Sequence, residues 1–469
     1  MSEAASRNEN RSTTPNSTGF TQFISERWAE RPKPNVQLSA AAAAAVARRA
    51  TLSAEFAGVR LVIPAGGFKQ RSNDTEFPYR AHSAFSYLTG WGADTVPESV
   101  LVCEPTSGEH QFTLFLRPTA DRTTEEFYAD AGIGEFWVGA RPGLAEVAAR
   151  LGITTRDLAE FEDVRASWTG DTAIVREADS VLTAALDTHR GDNVATDLDE
   201  SLARVLSEIR LVKDAYEISE MRAAIASTSR AFDDVLAALP RIVAADRGER
   251  VIEGVFFTRA RLEGNDIGYG SIAAAGPHAT ILHWTRNDGA VRDGELVLLD
   301  AGVERDSYYT ADITRTFPVS GTFSPLQREI YEAVREAADA AFAIVKPGII
   351  FREVHAEAMR VIARKTAEWG LLPVSAEESL LAENQFHRRY MVHGTSHHLG
   401  IDVHDCAQAR KEFYMDAEVR AGMIFTIEPG LYFQPDDLTV PEEFRGIGVR
   451  IEDDILVTAT GAENLSASI

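Results

Sequence analysis

Two aspartates in the segment LLDAGVERDSYYTADITRTF, residues 298–317, lie where carboxylates are costly. Asp300 directly follows the apolar run ELVLL, and Asp312 directly precedes the β-branched run ITRTF. The pattern predicts two short strands joined by a polar turn, with an aspartate at the inner end of each strand. A buried carboxylate must either lose its charge or meet a cation. The segment therefore indicates that a positive partner lies beside both side chains.

Three later segments also place ionisable groups against apolar runs: HGTSHHLGIDVHD (393–405), MIFTIEPGLY (423–432) and GIGVRIEDDILVT (446–458). Glu428 closes one such run, and Glu452 shares a predicted strand face with Arg450. Any one of these carboxylates is more typical of a turn or a helix cap. As a set, however, the two aspartates and two glutamates would be balanced in charge by two divalent ions. Oxygen ligands with one imidazole suit Mn²⁺, Co²⁺, Fe²⁺ or Zn²⁺, and paired ions of this kind support hydrolysis.

These segments, in this order, resemble the signature set of the pita-bread metallopeptidases, and most closely their aminopeptidase P (Xaa-Pro aminopeptidase) branch. The resemblance is specific over residues 205–469 and looser near the N-terminus, where FPYRAHSAFSYLTGW is similar. It implies two divalent ions, usually Mn²⁺, with Asp312 and Glu452 bridging both. The five implied metal ligands are Asp300, Asp312, His397, Glu428 and Glu452.

The resemblance also implies a reaction, the release of the N-terminal residue from peptides whose second residue is proline. Glu428 would serve as general base and general acid, and His283 and His404 would hold the carbonyl groups at the scissile bond. The nitrogen of an Xaa-Pro bond carries no hydrogen, so the site must recognise the shape of the proline ring. The residues implied to surround that ring are His393, Tyr432 and Arg450.

The other histidines of the C-terminal part lack motif support and are predicted to occupy surface or core positions. His398 stands directly beside the implied ligand His397, and we predict that its ring faces elsewhere. The histidines without an expected role in the reaction are His278, His355, His387 and His398.

Three other functions fit parts of the pattern. Prolidase, a dipeptidase with the same fold and ligands, must hold the C-terminal carboxylate of its substrate with basic residues. Ser396, which precedes the implied ligand histidine, favours aminopeptidase P over prolidase. A non-catalytic pita-bread module that binds peptides or proteins, and the non-metal enzyme creatinase, are disfavoured because every implied ligand position is filled.

The elements that must position these residues indicate a mixed α/β domain followed by a second domain of helices and strands. The resemblance implies an α+β protein whose second domain is a pita-bread domain, a curved antiparallel sheet covered by helices. Residues 1–36 are polar and predict a mobile tail, residues 37–204 the first domain, and residues 205–469 the catalytic domain. Within the latter, Ser324 is a predicted N-cap and Pro325 the first helical residue.

Composition excludes several other classes of protein. Asp and Glu outnumber Lys and Arg by 71 to 47, and the resulting formal charge of -24 disfavours nucleic acid and anionic membranes as partners. No apolar run is long enough to span a bilayer, and no signal peptide is evident, so a cytoplasmic location is expected. Two distant cysteines exclude a disulfide framework. The family resemblance further implies a homo-oligomer, a dimer or a tetramer.

Overall fold

The computed structural model describes residues 13–31, 35–73, 75–191 and 196–469 of the chain. The chain divides into two compact units, Met1–Ala203 and Arg204–Ile469. Each helix of the described residues is too short or too polar to cross a membrane.

The N-terminal unit contains a five-stranded mixed sheet of order β6-β5-β4-β1-β7, and a separate short hairpin of β2 and β3. Its strands are β1 (Arg60–Pro64), β2 (Gln70–Ser72), β3 (Thr75–Glu76), β4 (Val100–Pro105), β5 (His110–Leu116), β6 (Thr154–Asp157) and β7 (Thr172–Ile174). Its helices are α1 (Thr18–Ser25), α2 (Ala40–Glu55), α3 (Ser83–Thr89), α4 (Glu126–Ala129), α5 (Glu135–Val138), α6 (Leu144–Leu151), α7 (Phe161–Ala166) and α8 (Ser180–Arg190), and α9 (Thr196–Ile209) crosses the division between the units.

Part of the predicted tail is ordered as a helix. Residues 1–12 and 32–34 of the predicted 1–36 tail lie outside the described residues, but α1 forms within it. Ser17 caps α1 by accepting a hydrogen bond from the Phe20 N–H, and the Phe20 ring meets Tyr128 edge to face at 5.3 Å. The few aromatic residues in a polar stretch therefore provide contacts that composition alone did not indicate.

The C-terminal unit is built from antiparallel strand pairs. Its strands are β8 (Asp266–Ile267), β9 (Ile272–Ala275), β10 (Leu296–Ala301), β11 (Val303–Glu304), β12 (Ile313–Pro318), β13 (Ile424–Ile427), β14 (Gly430–Tyr432), β15 (Gly448–Arg450), β16 (Asp453–Val457) and β17 (Ala462–Asn464). Its further helices are α10 (Ala215–Ala237), α11 (Leu239–Val243), α12 (Gly248–Glu263), α13 (Pro325–Ala343), α14 (Arg352–Glu368) and α15 (Ala376–Ser379).

Two helix pairs cover these strands. Strand β10 lies between β9 and β12, and its buried Val297 and Leu299 share a core with Phe232 of α10 and Phe256 of α12. Strands β13, β16 and β17 form a second sheet, whose inner face packs against α13 and α14. The predicted α+β class, with helices over curved antiparallel strands, is confirmed.

Local signals in this unit were read correctly except between the two aspartates. Ser324 caps α13 in a reciprocal capping box, and Pro325 is the first helical residue, as predicted. The segment predicted as a plain polar turn contains an additional strand, β11, which pairs with β8. Gly302 makes this path possible, because any side chain there would collide with the Ala311 carbonyl group.

Candidate functional site: a carboxylate-rich cavity

Strands β10 and β12 bring the two aspartates together. Asp300 pairs with Thr314 in the antiparallel register, and Asp312 immediately precedes β12. Both side chains are buried, 7% and 5% exposed. The hydroxyl group of Tyr269 lies 2.7 Å from Asp300 Oδ1 and 2.5 Å from Asp312 Oδ1. A short strand pair therefore presents two carboxylates at one place, as the sequence predicts.

The two glutamates reach the same place from the second sheet. Glu428 directly follows β13, and Glu452 lies between β15 and β16. The backbone N–H of Glu452 donates to the carbonyl of Thr314 at 3.1 Å, and the Thr314 hydroxyl donates to Glu452 Oε2 at 2.7 Å. Thr314 thus connects β12 to the segment between β15 and β16 that carries Glu452.

His397 is oriented by the backbone around it. The backbone N–H of His397 donates to Thr426 Oγ1 at 3.1 Å, and its ring Nδ1 faces the His398 carbonyl at 3.2 Å. A carbonyl can only accept, so the neutral imidazole carries its proton on Nδ1. Its Nε2 lies 3.3 Å from Asp312 Oδ2 and 3.6 Å from Glu428 Oε1. Nε2 of His397 therefore points into the carboxylate cluster, where its lone pair is available to a cation when the ring is neutral.

Three overlapping groups of side chains could each hold a cation, because their ligand atoms lie within 4.8 Å of one another. Glu452 belongs to two of the groups, and so does Asp312. The groups are Asp300 with Asp312 and Glu452, His397 with Glu428 and Glu452, and Asp312 with His397 and His404. This oxygen-rich donor set with imidazole fits divalent ions.

The electrostatics of the cluster indicate that it requires cations. Burial raises the pKa of Glu428 to about 7, although the charge of His397 opposes the shift. Burial, followed by the charges of Asp312 and Glu428, raises the pKa of Glu452 well above its usual range. Burial also raises the pKa of Asp300, which Arg450 only partly offsets. Divalent ions would allow all these carboxyl groups to ionise.

The cluster forms one end of a cavity of about 720 Å³. Nine of the ten predicted site residues line it: Asp300, Asp312, His397, Glu428, Glu452, His283, His404, His393 and Arg450. Tyr432 is the exception, since it is buried and its ring folds back over Gly430. The Tyr432 hydroxyl instead contacts His393 Nε2 at 2.8 Å and accepts from Arg450 Nη1 at 3.0 Å. Tyr432 therefore supports two residues that line the cavity, and its place around the proline ring stays a prediction.

The sequence profile of metallopeptidase family M24 matches residues 219–459, the part of the chain that holds this whole cluster. The chain belongs to metallopeptidase family M24. It is a divalent-metal-dependent peptidase, and the resemblance found from its motifs is confirmed. A second profile, the N-terminal domain of aminopeptidase P, matches residues 45–176.

The similarity between this M24 chain and known proteins extends over nearly all of the chain. Xaa-Pro aminopeptidase 1 of Streptomyces coelicolor is 53% identical over 442 residues, covering 94% of this chain and 88% of the relative. Proline aminopeptidase P II from Yersinia pestis is 34% identical with a TM-score of 0.76, covering 91% of this chain and 96% of that chain. Aminopeptidase P from E. coli, solved with the inhibitor Pro-Leu, is 32% identical with a TM-score of 0.78, covering 92% and 96%.

Three residues of this M24 site escaped the sequence analysis. Tyr269 contacts both aspartates, Thr314 holds Glu452, and buried Asp454 accepts a hydrogen bond from the Asp312 N–H at 3.2 Å. Tyr269 lies between two glycines in the bend that connects β8 and β9, and Thr314 lies within β12. Neither carries a charge, so no local signal distinguishes them. Asp454 lies in the apolar run EDDILV, and the cost of burying it was a signal that could have identified it.

His398 lies away from the ligand cluster, as predicted. Its ring stacks on Phe351 with 4.6 Å between ring centroids and meets Tyr414 edge to face at 4.7 Å. Burial lowers the pKa of His398 well below its usual value. The side chain is therefore part of an aromatic core behind His397.

Proposed function

We infer that the chain is an Xaa-Pro aminopeptidase, an exopeptidase that releases the N-terminal residue from peptides with proline in the second position. The observation that carries this inference is the convergence of three buried carboxylates, one half-buried carboxylate and one imidazole on a single cavity, in a chain 53% identical to a Streptomyces Xaa-Pro aminopeptidase. A peptide with an N-terminal Xaa-Pro pair is the proposed substrate.

We propose that the site holds two divalent ions, most plausibly Mn²⁺, with Asp300, Asp312, His397, Glu428 and Glu452 as ligands. Asp312, Glu452 and His397 each belong to two ligand groups, and a carboxylate, unlike an imidazole, has two oxygens with which to bind two ions, which supports the proposal that Asp312 and Glu452 bridge them. When bound, such ions lower the pKa of a water molecule and polarise the scissile carbonyl. The remaining tasks fall to side chains of the chain itself.

Glu428 is proposed to accept the proton of the attacking water and to return it to the leaving nitrogen. It lies at the end of β13, on the cavity wall, with Oε2 3.5 Å from His393 Nδ1. His283 and His404 are exposed on the cavity, where their ring N–H groups can donate to the carbonyl oxygens on either side of the bond. Proton transfer is thus assigned to Glu428, and oxyanion stabilisation to His283 and His404.

Recognition of the proline ring is proposed to rest on His393 and Arg450, with Tyr432 holding both. Arg450 is 4% exposed and rigidly placed, since it donates to Asp300 Oδ2 at 2.5 Å, to Thr314 Oγ1 at 3.1 Å and to the Tyr432 hydroxyl. A tertiary amide offers the site no N–H to recognise, so rigid walls that fit the ring select it by shape.

The cavity favours peptides longer than two residues, which distinguishes the proposal from prolidase. Arg450 is the one lysine or arginine among the described lining residues, and Asp300 already neutralises it. A free carboxylate on the proline of a dipeptide would lack an unpaired guanidinium or ammonium partner there. In a longer peptide that carboxylate lies beyond the proline and is not buried in the cavity.

A homo-oligomeric state, dimer or tetramer, is proposed from the family resemblance alone. A cytoplasmic location is also a proposal, and it rests on the sequence. Both are open to direct test by light scattering and by cell fractionation.

The test of the proposed function is hydrolysis of Arg-Pro-Pro, Gly-Pro and Gly-Ala-Ala by chelated protein, with and without added Mn²⁺. Release of the first residue from Arg-Pro-Pro alone, dependent on Mn²⁺, is the expected result. Comparable cleavage of Gly-Pro would indicate prolidase instead. Cleavage of Gly-Ala-Ala at a similar rate would contradict proline selectivity.

A further inference from the structure

The loop that carries His283 forms part of the cavity wall. It runs from the end of β9 through residues 276–289 and contributes Leu282, His283 and Thr285 to the lining. Among the described residues, the His283 ring has no hydrogen-bond partner, and it is exposed. The position of this ring therefore depends on what anchors the loop.

One buried carboxylate, that of Glu249, anchors the loop at several points. Glu249 lies in the first turn of α12 and is fully buried. Its Oε1 accepts from the Ala275 N–H and from His278 Nδ1, each at 2.8 Å. Its Oε2 accepts from Trp284 Nε1 at 2.9 Å and from the Gly289 N–H at 2.6 Å. Ala275 lies just before the loop of residues 276–289, His278 and Trp284 lie within it, and Gly289 is its last residue.

The rings of the loop are fixed by the same carboxylate. His278 stacks on Trp284, the residue next to His283, with 3.8 Å between ring centroids and 26° between planes. Gly289 fits because a side chain there would lie 2.8 Å from Glu249 Oε2 and 2.7 Å from the His278 ring. An ionised carboxylate has about four acceptor sites, and all of them are used here. No neutral side chain of the same size can satisfy four donors.

We propose that Glu249 is a positioning residue for the reaction, which acts by holding the loop of residues 276–289 so that His283 faces the substrate carbonyl. The proposal rests on the proposed function and adds a residue that lies outside the cavity. Glutamine at this position would aim an NH₂ group at two N–H donors, so the loop would lose half of its anchorage. Misplacement of a substrate-contacting group by about 1 Å can lower a rate about 100-fold.

The test is a double-mutant cycle on Mn²⁺-loaded full-length protein that combines Glu249→Gln with His283→Ala, read as kcat and KM for Arg-Pro-Pro. We expect Glu249→Gln to lower kcat/KM at least about tenfold in the unmodified background, mainly through kcat, and by less than about twofold in the His283→Ala background. Metal content should stay unchanged in every variant. Trp284→Phe, which removes a single donor and keeps a smaller aromatic ring to stack on His278, should give a smaller loss with the same dependence on His283.

Glu263→Gln is the matched control, since Glu263 ends the same helix and pairs with Arg230 and Arg259 instead. Its kcat/KM should equal that of the unmodified protein. Equal losses from Glu249→Gln in both backgrounds would show a merely structural role and overturn the proposal, as would full activity of His283→Ala. If Glu249→Gln does not fold, Trp284→Phe decides by the same criterion. Failure of the unmodified protein to cleave Arg-Pro-Pro would instead refute the proposed function.

Discussion

Tyr269→Phe tests how strongly the cluster depends on a neutral residue beside it. The hydroxyl group of Tyr269 lies 2.7 Å and 2.5 Å from oxygens of Asp300 and Asp312, both proposed metal ligands. Burial, and then the charges of these two aspartates, raise the pKa of Tyr269 well above its usual value, so the hydroxyl stays protonated and donates. Phenylalanine keeps the ring and removes only this donor.

The size of the effect follows from the number of protons available. A hydroxyl has one hydrogen, so the two short contacts amount to one hydrogen bond to a charged acceptor, about 1.5–3 kcal/mol. Since about 1.4 kcal/mol corresponds to a factor of ten, Tyr269→Phe should weaken Mn²⁺ binding about 10- to 150-fold. A similar range, about 10- to 100-fold, is general for groups that orient metal ligands.

The assay is competition for Mn²⁺ between the protein and a fluorescent chelator at fixed pH. Tyr390→Phe is the control, because the Tyr390 hydroxyl is also buried but donates to the Leu371 carbonyl at 3.1 Å, away from the carboxylates. It should lower thermal stability without changing the Mn²⁺ affinity. An unchanged Mn²⁺ affinity of Tyr269→Phe, with its fold intact, would refute the reasoning.

Three further predictions concern pH and stability. Burial raises the pKa of Glu428 from about 4.5 to about 7. The protonated carboxyl group therefore stabilises the fold fully below pH 4.5, and this contribution is lost as the pH rises through 7. The Tm of chelated protein should fall between pH 5 and 8, and Mn²⁺ should reduce the fall. His398→Ala should lower the Tm but leave the metal content unchanged, which atomic emission measures, because its ring packs in the aromatic core. Asp199→Ala should destabilise the N-terminal unit by about 3–5 kcal/mol in thermal unfolding, since it removes a buried carboxylate that accepts from Arg190, Arg176 and the Ile174 N–H. Glu160→Ala, in an exposed pair, should change the Tm little.

The sequence predicted the charged part of the site because charge in an apolar run is conspicuous. Asp300, Asp312, Glu428 and Glu452 each interrupt or close such a run, and the structure brings all four to one cavity with His397. Tyr269 and Thr314 could not be predicted in this way, since neutral residues carry no comparable signal and acquire their role only from the packing of distant segments. The metal experiments test the proposed roles of the four carboxylates and His397 as ligands, and of Tyr269 and Thr314 as supports.

The fold was predictable at the level of elements and less so at the level of connections. The cap at Ser324 is a local signal and was read correctly. Strand β11 was missed because its pairing with β8 is set by a partner about 40 residues away along the chain. Helix α1 was missed because contacts such as that between Phe20 and Tyr128 outweigh a polar composition. The support that Tyr432 gives to His393 and Arg450 was not foreseen, because a motif specifies a residue but not the direction of its side chain.

The central claim is that the carboxylate cluster exists to hold two divalent ions, and its most direct test is metal stoichiometry. Equilibrium dialysis of the unmodified protein and of Asp312→Asn against Mn²⁺, followed by elemental analysis, measures the ions bound per chain. The account predicts two ions in the unmodified protein and fewer than one in Asp312→Asn, because the substitution keeps the shape and removes the proposed bridging charge. Two ions in both proteins, or none in the unmodified protein, would contradict it.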